Sequence, residues 1–282
     1  MPAANPNATV SLDWVRAHLD DPGVVFVHVG GAREEYESGH LPGAVWADGY
    51  GDFTVTRNGV RALVPTREEQ EATLGRLGID ETKTVVCVAS GKSMWPYRAY
   101  WVLRYFRFPN VRVADRSVAA MAREGVPTTT EDAAAPAPLT CRLGEPDASV
   151  ISMVDEVLAI AQGAEGAAIL DCRTDGEYVG EPGAHAASRL GRIPRAHHLN
   201  WELLMDADGR FLPLDQVRSL YAAAGIDGSK PVFPYCGGGI RSAASWFAMY
   251  ELLGWTNARN YDGSWAEWAV RTDLPLETGG TP

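Results

Sequence analysis

Short, continuous apolar runs alternate along this chain with stretches of helical periodicity. Val24 to Val29, Thr84 to Val88, Ala167 to Leu170 and Lys230 to Tyr235 are the apolar runs. Their continuity suits strands buried on both faces of a parallel sheet better than half-exposed strands. Between them lie helices. Ser11 N-caps one that runs to about Leu19, and Pro65-Thr66 opens another that ends at Leu77-Gly78. Met94 to Phe108 reads as a helix with its aromatics on one side, and Ser152-Met153-Val154-Asp155 opens a helix reaching about Gln162. A last helix, Ser242 to Leu253, places Trp246, Phe247, Tyr250 and Leu253 on an apolar face. Strand and helix alternate throughout, which predicts an α/β architecture with a mainly parallel sheet and helices on both faces.

The chain also repeats itself. From Gly78 to Ser117 a constant offset of 147 residues maps Gly78-Ile79-Asp80 onto Gly225-Ile226-Asp227, Lys83 onto Lys230 and Val85 onto Val232. Asn110, Arg112, Asp115 and Ser117 fall on Asn257, Arg259, Asp262 and Ser264 in the same register. Two copies of one fold follow. The proline-, threonine- and alanine-biased stretch after Val126 reads as a linker, dividing the chain into residues 1–127, a linker 128–145 and residues 146–282. The first copy places Ala89 where the second has Cys236, and Met94 where it has Arg241. It also shows Val29-Gly30-Gly31 at the place where the second reads Asp171-Cys172-Arg173. The first half is therefore expected to be catalytically silent.

Candidate chemistry concentrates in Tyr235-Cys236-Gly237-Gly238-Gly239-Ile240-Arg241-Ser242, between a strand and a helix. A core cysteine does not need three glycines behind it, and glycine costs chain entropy. Three consecutive glycines are expected to take φ > 0 and to turn successive N–H groups inward, forming an anion-binding concavity at a helix N-terminus. Such a loop, with a nearby arginine, lowers a thiol from its ordinary value near ~8.5 and makes Cys236 a nucleophile. No Lys-Ser/Thr pair follows the glycines, so the loop is not a nucleotide-binding P-loop. Arg173, at the end of a strand, is a second pocket candidate. A structural salt bridge with Asp171 is the competing reading.

Composition narrows the class. Apolar residues make up 46% of the 282 and charged residues 22%, as in globular chains. The net charge of −11 disfavours sequence-blind nucleic-acid or anionic-membrane binding, and an anionic substrate then needs a local positive pocket. Met1-Pro2-Ala3-Ala4-Asn5-Pro6 has neither a basic start nor an apolar core, and no run approaches a membrane span, so a cytoplasmic location is expected. Four cysteines at 87, 141, 172 and 236 lack CxxC spacing, suggesting neither a metal site nor a disulfide framework.

Several segments together carry a family resemblance: Gly39-His40-Leu41-Pro42-Gly43-Ala44, Tyr97-Arg98-Ala99-Tyr100-Trp101, Asp171-Cys172-Arg173, the Cys236 loop, and Asn260-Tyr261-Asp262-Gly263-Ser264-Trp265. Over essentially its full length the chain resembles a two-domain sulfurtransferase of the rhodanese family. The resemblance implies two tandem rhodanese-like domains, the second of them catalytic, with Cys236 accepting a sulfane sulfur as a persulfide. The partners implied are a small anionic sulfur donor and a thiophilic acceptor (cyanide, a thiol or a protein thiol), with no cofactor and no metal. The N–H groups of Gly237, Gly238, Gly239, Ile240 and Ser242 are expected to stabilise the persulfide. Arg173 and Arg241 with Asp171 would hold the donor, and Arg189 or Arg192 stand as further candidates. One departure is Gly191-Arg192-Ile193-Pro194-Arg195, where the family shows a Gly-His-Ile/Leu-x-Gly turn. In such enzymes basic loops go with thiosulfate and neutral loops with 3-mercaptopyruvate. This loop is a hybrid, and Arg259 to Trp265 favours thiosulfate, with 3-mercaptopyruvate as the alternative. Phosphatases built on the same fold use Cys-x5-Arg, one residue longer than Cys236-x4-Arg241, and a non-enzymatic interaction module would not need the complete loop.

Overall fold

The computed structural model describes residues 4–184 and 187–280; Met1, Pro2 and Ala3 of the N-terminal stretch lie outside them. The first half contains β1 (Thr9–Val10), β2 (Val24–Gly30), β3 (Val45–Asp48), the hairpin strands β4 (Val55–Arg57) and β5 (Val60–Leu63), then β6 (Thr84–Val88) and β7 (Val111–Ala114). Five of these form one all-parallel sheet in the order β3-β2-β6-β7-β1. Residues from Phe26 to Gly30 are all buried, as a central parallel strand covered on both faces requires. Ser11 caps the helix Leu12–Ala17 by accepting from Trp14 N, and Thr66 forms a capping box with Glu69 at the start of Arg67–Arg76. The β4–β5 hairpin was legible but unread: Asn58-Gly59 at φ 51° and 78° is the two-residue turn that Asn-Gly favours.

The second half contains β8 (Ile151–Ser152), β9 (Ala168–Asp171), β10 (His197–His198), β11 (Val232–Tyr235) and β12 (Asn260–Tyr261). The order β10-β9-β11 continues through a parallel bridge between Val232 and Ala258 to β12-β8, repeating the first sheet strand for strand. Registers match as well: Val85 opposes Val111 in one sheet, and Val232 opposes Ala258 in the other. Two backbone bonds recur at the same offset. Val118 N and Ala119 N donate to Ala89 O and Ser90 O, while Trp265 N and Ala266 N donate to Cys236 O and Gly237 O. The pairing corrects one alignment, because Val25 opposes Val85 as Ala168 opposes Val232. His28-Val29-Gly30, not Val29-Gly30-Gly31, is therefore the counterpart of Asp171-Cys172-Arg173. Ser152 corrects another expectation: it lies in β8 and donates to Arg259 O, and the helix Val154–Ala161 is closed instead by Glu156 accepting from Met153 N.

The halves share one core. A single cluster of buried side chains contains Val27, Trp101 and Leu103 together with Leu170, Trp246 and Phe247. Its centre is the contact between the helices Trp95–Tyr105 and Arg241–Phe247, where the rings of Tyr97 and Tyr100 lie 5.1 and 4.8 Å from that of Phe247. The stretch after Val126 is an extended strap rather than a loose tether. Leu139 N donates to Gly75 O, Gly144 N to Phe106 O, and Cys141 and Leu143 are buried.

Arg98 is fully buried in this contact. Its guanidinium donates to Phe53 O (3.2 Å), Ala62 O (3.1 Å), Gly239 O (3.2 Å) and Asp262 Oδ1 (2.7 Å), and it lies 4.9 Å from the Trp101 ring. Removing one member of a buried, hydrogen-bonded ion pair leaves the other charge uncompensated, which costs about 3–5 kcal/mol. Arg98→Met should lower the unfolding free energy by about that amount in urea titrations. A loss below about 1 kcal/mol would contradict the clamp role.

Candidate active site

Cys236 follows the last residue of β11, and the helix Arg241–Phe247 begins five residues later. The loop between them is tightly seated. Of its three glycines, only Gly239 has a positive φ, 71°, so the expectation of φ > 0 at all three is corrected. A Cβ on Gly239 would stand 2.7 Å from Asp262 O, and one on Gly238 would stand 2.8 Å from Ala62 Cβ in the first half. Close approach, more than backbone conformation, therefore accounts for Gly238. The N–H groups also divide. Those of Gly238 and Ser242 are directed at the Cys236 sulfur, whereas Gly239 N and Cys236 N both donate to Ser264 Oγ, at 2.9 and 3.1 Å. Ser264 in turn donates to Tyr261 O, so its hydroxyl holds the loop closed. Ile240 is buried at the start of the helix and lines the pocket.

Burial alone would push the Cys236 thiol up. The charge of Arg241 and the two N–H groups outweigh it, and the thiol is lowered from its ordinary value, while the Ser242 hydroxyl donates to Asn260 Oδ1 at 2.7 Å. Cys172 lies close by without those donors, and burial raises its thiol well above the ordinary value; Cys87 is pushed up to about 12 in the same way. Among the described residues no cluster of His, Cys, Asp or Glu could hold a metal ion.

The expected cations are not disposed as the sequence suggests. Arg241 borders the pocket, but its guanidinium forms a bidentate pair with Glu177, at 2.6 and 2.7 Å. Arg173 does not line the pocket: it is 1% exposed and gripped by Asp171 through contacts of 2.6 to 3.1 Å. It also donates to Gly191 O, and its guanidinium lies 4.7 Å from the Trp265 ring. Asp171 further accepts from the Tyr235 hydroxyl, so the pair belongs to the scaffold beneath the loop. Arg189 donates to Arg271 O and Leu274 O, and Arg192 to Gly279 O and Tyr178 O, which turns both away from the sulfur. Arg173 thereby satisfies the buried Gly191 carbonyl, while Arg189 and Arg192 bind carbonyls that are part-buried or exposed.

The pocket over the sulfur has a volume of about 210 Å³, room for a ligand of a few heavy atoms. Its walls are Cys236, Gly237, Gly238, Ile240 and Arg241 from the second half and Tyr50, Arg61, Ala62 and Met94 from the first. Arg61 and Ala62 lie on β5, the hairpin strand that sequence reading passed over. Two residues of β5, Arg61 and Ala62, oppose the single Thr56 of β4 in a bulge, and Ala62 has a φ of 63°. That conformation costs an L-residue about 1–2 kcal/mol and is held by the Arg98 bond to Ala62 O.

A family model described as rhodanese-like domain matches residues 11–124 and again residues 153–271. A protein of Haloferax volcanii named "Putative thiosulfate sulfurtransferase" is 35% identical over 96% of both chains. The sulfur carrier protein TtuD of Thermus thermophilus is 35% identical over 98% of both. Among solved structures, one described as a variant of EanB in complex with ergothioneine superposes with a TM-score of 0.83 at 25% identity. That match covers 98% of this chain and 71% of the other.

The Glu177–Arg241 pair generates opposite expectations for its two members. Arg241→Gln removes the cation and leaves a carboxylate near the sulfur, so the Cys236 thiol should rise; Glu177→Gln unmasks the cation and should lower it. The pH profile of iodoacetamide alkylation reads both, and shifts in the same direction would refute the coupling. Arg241 holds Glu177 at about 2, below its ordinary 4.5, so the pair adds stability above pH 4.5 and loses it as pH falls through about 2.

Proposed function

Since the chain belongs to the rhodanese-like domain family, we propose that it is a sulfurtransferase that carries a sulfane sulfur on Cys236. The thiolate attacks the outer sulfur of thiosulfate, the S–S bond of the donor breaks, and sulfite leaves with its electron pair. Cys236 then bears a terminal sulfur anion. The Gly238 and Ser242 N–H groups, already directed at the position of the thiolate, are placed to stabilise that charge. A thiophilic acceptor, cyanide or a thiol, attacks the terminal sulfur and regenerates the thiolate. One observation carries the reading: Cys236 combines a lowered thiol with a place in a pocket lining, whereas burial pushes Cys87, Cys141 and Cys172 up.

Residues 146–282 form the sulfur-carrying domain in this proposal, and residues 1–127 form a domain without chemistry of its own. Ala89 and Met94 stand in place of nucleophile and arginine there. Thiosulfate as donor is supported by the names of the Haloferax and other full-length relatives. Pairing of Arg241 with Glu177 removes part of the cationic character on which a thiosulfate preference would rest, which keeps 3-mercaptopyruvate as the second reading.

Incubation with thiosulfate should add one sulfur to the intact mass of the wild type and none to Cys236→Ala. Cyanide should then remove the added sulfur with release of thiocyanate. A Cys236→Ala protein that still gains sulfur would place the carrier elsewhere.

A further inference from the structure

Two cations border the pocket, and they differ in what they have left to offer. The charge of Arg241 is offset by a carboxylate at 2.6 and 2.7 Å. Arg61 is exposed on the opposite wall and, among the described residues, makes no ion pair and no side-chain hydrogen bond. With Arg241 shared between Glu177 and the Cys236 thiolate, the negative charge in the pocket is only partly compensated. The chain as a whole adds −11. An anionic donor approaching that thiolate is repelled unless a further cation meets it.

We propose that Arg61 is the residue that receives the anionic end of the sulfur donor, a specificity-determining role supplied by the half without a nucleophile. This rests on the reading of Cys236 as the sulfur carrier and extends it to the donor side of the pocket. The geometry of β5 supports it. A bulge at Arg61 and Ala62 breaks the hairpin's register, and Ala62 takes a left-handed φ of 63°, which turns this stretch toward Gly238. The bulge does not float: Arg98 binds Ala62 O and Gly239 O at once, so the strand bearing Arg61 and the loop bearing Cys236 share one anchor. An unpaired guanidinium so placed offers forked donors that match a sulfonate or a carboxylate. Separating the anion-binding cation on one half from the nucleophile on the other also makes the pocket complete only where the halves meet.

The test compares wild type, Arg61→Met and Arg61→Lys. Iodoacetate and iodoacetamide have nearly the same shape and differ in charge, so the ratio of their alkylation rates at Cys236 reports a cation beside the sulfur without any sulfur transfer. Arg61→Met should reduce that ratio about three- to tenfold, because a shift of the thiol itself changes both rates alike and cancels in the ratio, and Arg61→Lys should retain most of it. High salt should shrink the difference between wild type and Arg61→Met. In turnover with thiosulfate and cyanide, Arg61→Met should raise KM by a similar factor and leave kcat nearly constant. A ratio unchanged by Arg61→Met, with thiosulfate still turned over at the wild-type KM, overturns the role of Arg61 and leaves the sulfurtransferase reading intact. A ratio that falls while wild type gains no sulfur from thiosulfate or 3-mercaptopyruvate supports the anion site and overturns the sulfur-carrier reading instead.

Discussion

The buried ion pair between Arg98 and Asp262 is the contact on which the candidate site depends. Asp262 receives Arg98 Nη1 at 2.7 Å on one oxygen and Val64 N at 2.7 Å on the other. Arg98 spends its remaining donors on Phe53 O, Ala62 O and Gly239 O. A charge taken out of water is tolerable only when its hydrogen-bonding capacity is filled, so these partners hold one another in place. The hairpin, the nucleophile loop and the segment following β12 therefore share a single anchor. Because the flanking helices pack Tyr97 and Tyr100 on Phe247, the anchor sits inside a continuous apolar core rather than at a wet domain boundary.

Around that anchor, two arginine–carboxylate pairs do different work. Asp171 and Arg173 lie fully buried under the loop, with the Tyr235 hydroxyl and Gly191 O completing their contacts, and they set where β9 and β11 end. Arg241 borders the pocket and draws the Cys236 thiol down, and Glu177 pairs with it from behind. Pairs of the same chemical type thus take different places, one buried beneath the loop and one with its arginine in the pocket wall.

The repeat explains how the first half contributes to a site that the second half builds around Cys236. Corresponding backbone bonds tie Val118 to Ala89 and Trp265 to Cys236, so both loops are built to the same plan. Ser117 and Ser264 then diverge. Ser117 caps the helix Val118–Arg123, whereas Ser264 accepts from Cys236 N and Gly239 N and shapes the nucleophile loop. The first half lacks the sulfur but has the β4–β5 hairpin, which reaches across to cover the loop of the second.

Much of this was legible in the sequence because it depends on local periodicity and chemistry. Continuous apolar runs marked the buried parallel strands, the constant offset marked the repeat, and glycines behind Cys236 marked a loop in which backbone amides approach a sulfur. Even the overlooked hairpin was written in Asn58-Gly59. Which charges face the pocket was not legible, since a strand-end arginine such as Arg173 reads the same whether it turns toward a cleft or toward Asp171. Pairing depends on side-chain directions and on partners far along the chain: Glu177 lies 64 residues from Arg241, and Asp262 lies 164 from Arg98. Sequence alone determined the fold class, the repeat and the glycine loop that holds Cys236. Only the packing of the two halves decided that Arg173 is structural, that Arg241 is paired with Glu177, and that Arg61 borders the same pocket as Cys236, because electrostatic compensation is set by distance in space.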